Sequence, residues 1–288
     1  MRRPASNPRR VTAPPGRVRA SGGLGAITGA SARPSGPPGQ SISLVEVTDL
    51  HKAFDGNEVL KGISVSAERA ETLVVMGGSG SGKTVFLRHV AGLLRPDEGQ
   101  VRVFGVNIEK LSEEELLPLR RRMGFVFQGA ALFDSLTTYE NVAYPLREHT
   151  NLSEPEIRER VLHFLSLVGL GEESLELLPA ELSGGMRKRV GIARALVSEP
   201  EIMLFDEPTA GLDPTNSKLV ADLIAQLKSG VCDTAIVVTH DLDLTKTIAT
   251  RVAILIHGRF AAVAPLEEIL RSREPEVQAF LAGEATTA

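Results

Sequence analysis

From Ser43 onward the chain alternates short apolar runs with amphipathic stretches, the pattern left by a parallel sheet flanked by helices. Residues 42–47 and 59–65 alternate apolar with polar side chains and predict half-exposed strands, while 72–76, apolar after Thr72, predicts a buried one. A glycine-dense turn follows, then a helix over 83–94 and strands over 100–104 and 124–127. Between 129 and 199 the strand signals vanish. Three capping-box patterns appear from Ser112 onward, pairing Ser112 with Glu115, Thr137 with Glu140 and Ser153 with Glu156, and each predicts a helix start. Strands return at 202–205, 235–238 and 252–256 with helical segments between them. The reading is an α/β core interrupted by a helical insertion.

At 288 residues, 42% apolar and 24% charged, the chain has room for one large α/β domain or two modest ones. Its apolar runs, such as 252–256 and 235–238, fall well short of the ~18 residues that a membrane helix needs. A single cysteine, Cys232, excludes an intramolecular disulfide and a multi-cysteine metal site, and reads as a small packing residue. The net charge of −4 hides an asymmetry, because residues 1–45 hold seven Arg and no Lys, Asp or Glu, so the remainder carries −11. So acidic a body argues against a general nucleic-acid binder. Residues 1–40 contain seven Pro and seven Gly with few large apolar side chains, and residues 1–41 read as a disordered basic tail. Its Arg, Ser and Ala content leaves an organelle transit peptide or a contact with anionic lipid as alternatives. It lacks the apolar stretch of a secretory signal.

The first chemical motif is Gly77-Gly78-Ser79-Gly80-Ser81-Gly82-Lys83-Thr84, between a strand and a helix. Glycines let the backbone close into a concave nest whose N–H groups, together with the N-terminus of the following helix, converge on polyphosphate. Lys83 adds positive charge for the β- and γ-phosphates, and Thr84 offers a hydroxyl to Mg²⁺. The second motif is the apolar run 202–205 ending in Asp206-Glu207. At the carboxyl edge of a parallel sheet the first acid can hold Mg²⁺, and the second can orient or activate an attacking water. An apolar run ending in two acids is common by itself; the loop upstream gives this one its weight.

The third motif, Leu182-Ser183-Gly184-Gly185-Met186, is followed by a helical run from Arg187 to Val197. Ser183 can cap that helix, and the two glycines let a phosphate approach its bare N–H groups. This resembles the signature sequence of ABC ATPases, and the neighbouring motifs match in order and spacing. Phe54 matches the aromatic that stacks on adenine, Gln128 the Q-loop, Ala210-Gly211-Leu212-Asp213 the D-loop, and His240 the switch histidine. The resemblance covers about residues 42–282. It implies a P-loop NTPase fold with a RecA-like core, an antiparallel β subdomain and an inserted helical subdomain at about 129–199. It places the nucleotide-binding domain at 42–283, with 284–288 expected as a short C-terminal tail. It also implies a head-to-tail homodimer with two ATP molecules at the interface, where Ser183, Gly185 and Asp213 of one subunit face the phosphate loop of the other. Carried over position by position, Thr84, Gln128 and Asp206 surround Mg²⁺, Glu207 handles the attacking water, Gln128 assists catalysis and His240 senses the γ-phosphate.

Residues 128–150, with the stretches Phe133-Asp134-Ser135 and Leu146-Arg147-Glu148-His149-Thr150, are similar to the Mla-type phospholipid-transport ATPases. That resemblance implies work at the cytoplasmic face of the inner membrane with MlaE-type permease subunits, an MCE-domain lipid-binding protein and a small MlaB-like regulatory subunit. Were the basic tail a transit peptide, the related plastid lipid importer would be the reading. The rivals are the ATPase of a small-solute importer, for instance for an amino acid, and a soluble ABC ATPase acting on nucleic acid or ribosomes. The remaining histidines, His51, His89, His149, His163 and His257, lack a common metal spacing and read as packing or surface residues. Phe54 has a competing reading as a core residue.

Overall fold

The computed structural model describes residues 43–283 except 229 and 233; the basic stretch and the 284–288 tail lie outside the described residues. An antiparallel sheet forms from β1 (Ser43–Phe54), β2 (Asn57–Glu68), β4 (Glu98–Val103) and β5 (Val106–Asn107), in the order β2-β1-β4-β5. A second sheet has the order β10-β9-β3-β8-β7-β6. It comprises β3 (Thr72–Met76), β6 (Met123–Val126), β7 (Ile202–Asp206), β8 (Ala235–Thr239), β9 (Arg251–Ile256) and β10 (Arg259–Pro265). Its neighbours are parallel except β10, which runs antiparallel along β9.

The helices are α1 (Lys83–Val90), α2 (Glu113–Arg120), α3 (Thr138–His149), α4 (Glu154–Leu167), α5 (Gly184–Leu196), α6 (Pro214–Lys228), α7 (Leu242–Ile248), α8 (Leu266–Leu270) and α9 (Pro275–Leu281). The expected insertion is present as α3, α4 and α5, with no strand among the described residues from 127 to 201. The starts of α2, α3 and α4 are capped as the sequence predicts. Ser112 and Glu115, like Thr137 and Glu140, bond reciprocally, and Glu156 accepts the Ser153 N–H at 2.7 Å.

The apolar runs are continuous because the parallel sheet is covered on both faces. On β3, Leu73 and Val75 join the antiparallel sheet and Phe86 and Leu87 of α1 in one core, while Val74 and Met76 join the helical layer in the other. The same division splits β7 into Ile202 and Leu204 against Met203 and Phe205. Each fully buried aliphatic side chain contributes about 1.5–3 kcal/mol. Because β3, β8 and β7 run parallel, the carboxyl ends of β3 and β7 lie at one edge of the sheet.

Several boundaries differ from expectation for identifiable reasons. The helix expected over 83–94 stops at Val90, because Gly92 turns left-handed at φ +66° and its flanks close a Schellman cap, Gly92 N–H to His89 O and Leu93 N–H to Arg88 O. β1 runs past residue 47 to Phe54 through a bulge between Val47 and Leu50, with Asp49 at φ +50°, which breaks the period-two pattern. β10 escapes the sequence reading because it is an alanine-rich edge strand.

An ion-pair cluster stitches the two sheets together. Glu201 accepts from Arg122 at 2.6 Å and lies 3.4 Å from Arg69, and Arg122 stacks over the Phe104 ring at 3.7 Å. The Arg122 hydrogen bond, reinforced by Arg69, holds the Glu201 carboxyl below its ordinary value of 4.5. A carboxyl with a depressed folded value stabilises above the unfolded value and loses that contribution as pH falls through the folded one. Glu201→Gln should therefore cost about 1 kcal/mol at pH 7, a gap that closes progressively below pH 4.5. Urea melts of both proteins across that range check it; a gap independent of pH would assign the loss to packing.

Candidate active site

The phosphate-loop motif lies between β3 and α1, at the carboxyl edge of the parallel sheet. Gly80 at φ +77° and Gly82 at φ +103° occupy left-handed backbone that a side chain would strain. A Cβ on Gly77 would come within 2.4 Å of Ser81 Oγ and 2.6 Å of the Leu255 carbonyl, so only glycine fits there. The loop closes on itself, with Lys83 Nζ donating to the carbonyls of Gly77 and Gly78, each at 2.8 Å. Ser81 Oγ is buried without a hydrogen-bond partner among the described residues. Gly78, Ser79, Gly80 and Ser81 border a cavity of about 320 Å³ shared with Lys61, His257 and other residues.

β7 delivers the carboxylates to this loop. Asp206 Oδ1 accepts the Thr84 hydroxyl at 2.9 Å, joining the last residue of the loop to the strand end. Burial pushes the Asp206 carboxyl up; the Thr84 hydrogen bond opposes that shift and the adjacent Glu207 charge adds to it. Glu207 sits at φ +46°, with its N–H held by the Val238 carbonyl at 2.9 Å. Its carboxylate meets Lys83 Nζ at 3.3 Å through Oε1, and His240 Nδ1 at 3.0 Å and the Thr239 hydroxyl at 3.2 Å through Oε2. The carboxylate and the Lys83 ammonium are about nine-tenths buried, whereas the His240 side chain is 64% exposed.

A second cluster gathers the signature and D-loop residues. Ser183 caps α5 by accepting the Met186 N–H at 3.2 Å, and its side chain is exposed. Gly185 packs so closely on Asn216 that a Cβ would lie 2.4 Å from Asn216 Oδ1, and Asn216 in turn donates to Asp213 Oδ2 at 2.5 Å. That bond, with the Asn216 and Thr215 N–H groups, lowers the Asp213 carboxyl. Phe54 is 42% exposed at the end of β1 with Lys52 Nζ 5.4 Å from its ring centre, which removes the core reading of that ring. Gln128 is also exposed, and its backbone carbonyl accepts from Lys188.

Residues 60–210 match the ABC transporter family. The chain belongs to this family. As an ABC ATPase subunit it is an enzyme that hydrolyses ATP, and it is 41% identical over 247 residues to the probable ribonucleotide transport ATP-binding protein mkl of Mycobacterium tuberculosis, covering 86% of this chain and 68% of that one. The intermembrane phospholipid transport system ATP-binding protein MlaF of Haemophilus influenzae is 37% identical over 243 residues, covering 84% of this chain and 92% of its own length. The methionine import ATP-binding protein MetN of Brucella abortus is likewise 37% identical, over 85% of this chain and 66% of its own. A solved dimeric ABC transporter cassette in a post-hydrolysis state with ADP and phosphate superposes with a TM-score of 0.72 at 33% identity, covering 77% of this chain and 98% of that one.

Three residues of this ABC ATPase escaped the sequence reading. Thr239 touches the Glu207 carboxylate, Asn216 joins Gly185 to Asp213, and Lys188 reaches the backbone of both Gln128 and Glu207. Only Lys188 left a signal, a lysine on the helical stripe shared by Gly185, Ile192 and Leu196. A groove of about 620 Å³ opens elsewhere on the ABC ATPase, its walls including Leu117, Arg121, Phe127, Phe133, Tyr144 and Arg194. Phe133 and Tyr144 meet at a 50° tilt with ring centres 5.0 Å apart and are 45% and 42% exposed. No helix of the described residues is long and apolar enough to cross a membrane.

Proposed function

We propose that this subunit powers a phospholipid-transport permease. The observation that carries the reading is a coincidence of place. The stretch 128–150, whose resemblance selects the Mla-type subfamily, supplies Phe133, Tyr144, His149 and Thr150 to the wall of the 620 Å³ groove. Subfamily identity thus sits on the surface where a partner would dock. The likeness to the MlaF phospholipid transport ATPase over 92% of its length supports the same reading, while the equal identity to MetN keeps the methionine-importer type as the rival.

In this reading the ATPase domain runs over 42–283, with its helical insertion at 129–199. ATP lies along the phosphate loop, and Phe54 offers its open face to adenine. The buried Ser81 hydroxyl, without a partner among the described residues, and the hard-oxygen pair Thr84 and Asp206 fit phosphate and Mg²⁺ respectively. Thr84, Asp206 and the Gln128 side chain would hold the ion, which when bound neutralises charge on the phosphates. Lys83 exchanges its carbonyl and carboxylate partners for phosphate oxygens. Glu207, released from Lys83, accepts a proton from the attacking water, and His240 orients that carboxylate and meets the γ-phosphate. Ser183, Gly185 and Asp213 complete the site of a second copy in a head-to-tail dimer.

The partners are MlaE-like permease subunits, an MCE-domain lipid-binding protein and an MlaB-like regulatory subunit, with the chain held peripherally at the cytoplasmic membrane face and no nucleic acid in its work. Purification from native membranes in mild detergent, followed by mass spectrometry of bound proteins and lipids, tests this. A multi-span permease with an MCE-domain protein and phospholipid supports it, a solute-importer permease overturns the lipid assignment, and nucleic acid without a permease overturns transport. Phe133→Asp should weaken permease capture by about 10-fold or more, the scale of losing an aromatic anchor at an interface centre. A titration of detergent-solubilised permease checks this, and undiminished affinity would place the docking surface elsewhere.

A further inference from the structure

The helix that starts at Ser183 carries a lysine where its packing pattern calls for an apolar side chain. Gly185, Lys188, Ile192 and Leu196 fall on one buried stripe of α5, and Lys188 is 5% exposed. Taking an ammonium out of water is costly unless it is paired and hydrogen-bonded. Lys188 Nζ donates to the carbonyl of Gln128 and, at 3.2 Å, to the carbonyl of Glu207. Burial lowers its pKa, and the Asp206 and Glu207 charges work against that shift.

Neither acceptor belongs to a helix or strand ladder, so each has backbone oxygen to offer. Glu207 is a non-glycine residue in left-handed backbone, held from one side by the Val238 carbonyl at its N–H and from the other by Lys188 and the Ala210 N–H at its own carbonyl. Gln128 follows Phe127 in a segment that enters the groove wall, and the next residues are fastened to α5 as well, Arg194 donating to the carbonyls of Ala130 and Ala131 at 2.8 Å each. The Lys188 ammonium is the point at which the groove-wall segment, the signature helix and the backbone of Glu207 meet.

We propose that Lys188 is a positioning residue for ATP hydrolysis: by bridging the Gln128 and Glu207 carbonyls it sets the direction of the Glu207 carboxylate and makes that direction depend on the groove wall. It acts through backbone and touches no reacting atom. The proposal rests on Glu207 as the hydrolytic base, so Glu207→Gln is run beside it.

The experiment measures nucleotide affinity, KM, kcat and the melting temperature of Lys188→Met, Lys188→Gln and Lys188→Arg, with the content of competent sites fixed by titration with a fluorescent ATP analogue. Lys188→Met keeps length and removes the donors. Its kcat per competent site should fall about 10-fold or more while KM and nucleotide affinity stay within about 2-fold, and Lys188→Arg should recover most of the loss. Stimulation by the purified permease should shrink in Lys188→Met by a larger factor than kcat does. A purely structural lysine gives the opposite result: fewer competent sites and a lower melting temperature with unchanged kcat per site, and that overturns the proposal. Where Lys188→Met yields no folded protein, Lys188→Gln, which retains a donor, carries the same comparison of kcat with KM. Loss of kcat in the lysine variants with an active Glu207→Gln would instead overturn the assignment of the base.

Discussion

Glu207→Gln should bind ATP as tightly as the parent and turn it over roughly 100- to 10,000-fold more slowly, the scale on which a positioned general base contributes. The substitution keeps the shape and both heteroatom positions, so the hydrogen bonds from His240 and Thr239 to Oε2 retain a partner. It removes the negative charge that faces Lys83 at 3.3 Å and the capacity to take a proton from water. With Lys83 left free for phosphate and hydrolysis blocked, two subunits should accumulate as an ATP-bound dimer. Single-turnover phosphate release and size-exclusion chromatography in ATP measure both parts. Hydrolysis at the parental rate would remove Glu207 from its role.

Lys83→Ala should act at the earlier step, weakening ATP binding by about 1.5–3 kcal/mol, or roughly 10- to 150-fold, the range for hydrogen bonds to charged groups. The ammonium is 7% exposed, close to the Gly77 and Gly78 carbonyls and the Glu207 carboxylate. Its loss leaves the Glu207 carboxylate buried opposite a cavity, so a fall in stability should accompany the fall in affinity. Fluorescent-nucleotide titration and thermal melts separate the two effects. Unchanged nucleotide affinity would dissociate Lys83 from phosphate binding.

The sequence carried the site's central residues because their chemistry forces short-range patterns. A nest needs glycines at fixed spacing, and a carboxylate at a strand end needs an apolar run before it, so Gly77 to Thr84 and Asp206-Glu207 stand out without reference to anything distant in the chain. The sheet's double burial was legible for the same reason, as uninterrupted apolar runs at β3, β7 and β8. Irregular backbone was not legible. The bulge at Asp49 disrupts alternation, so the strand pattern stops where β1 only bends. Two hairpins turn on Asp55-Gly56 and His257-Gly258, both pairs with positive φ, and this two-residue turn was the available but unused signal for a longer β1 and for β10. Lys188, Thr239 and Asn216 were hidden for another reason. Their partners are up to 60 residues away in sequence, and only the folded chain sets an ammonium of α5 against the Gln128 carbonyl.

The internal bonding of Lys83 has a consequence for selectivity among anions. Its ammonium already faces two carbonyl oxygens and a carboxylate oxygen. An incoming anion has to supply replacements for these contacts together, since giving up one while keeping the others leaves the loop closed. Chloride, a single sphere of charge, cannot span the loop and the lysine at once; a polyphosphate presents oxygens to both. If the loop takes phosphate as proposed, it should therefore act as a threshold element, responding to chains of phosphate and little to small anions, before any contact with base or ribose has been made.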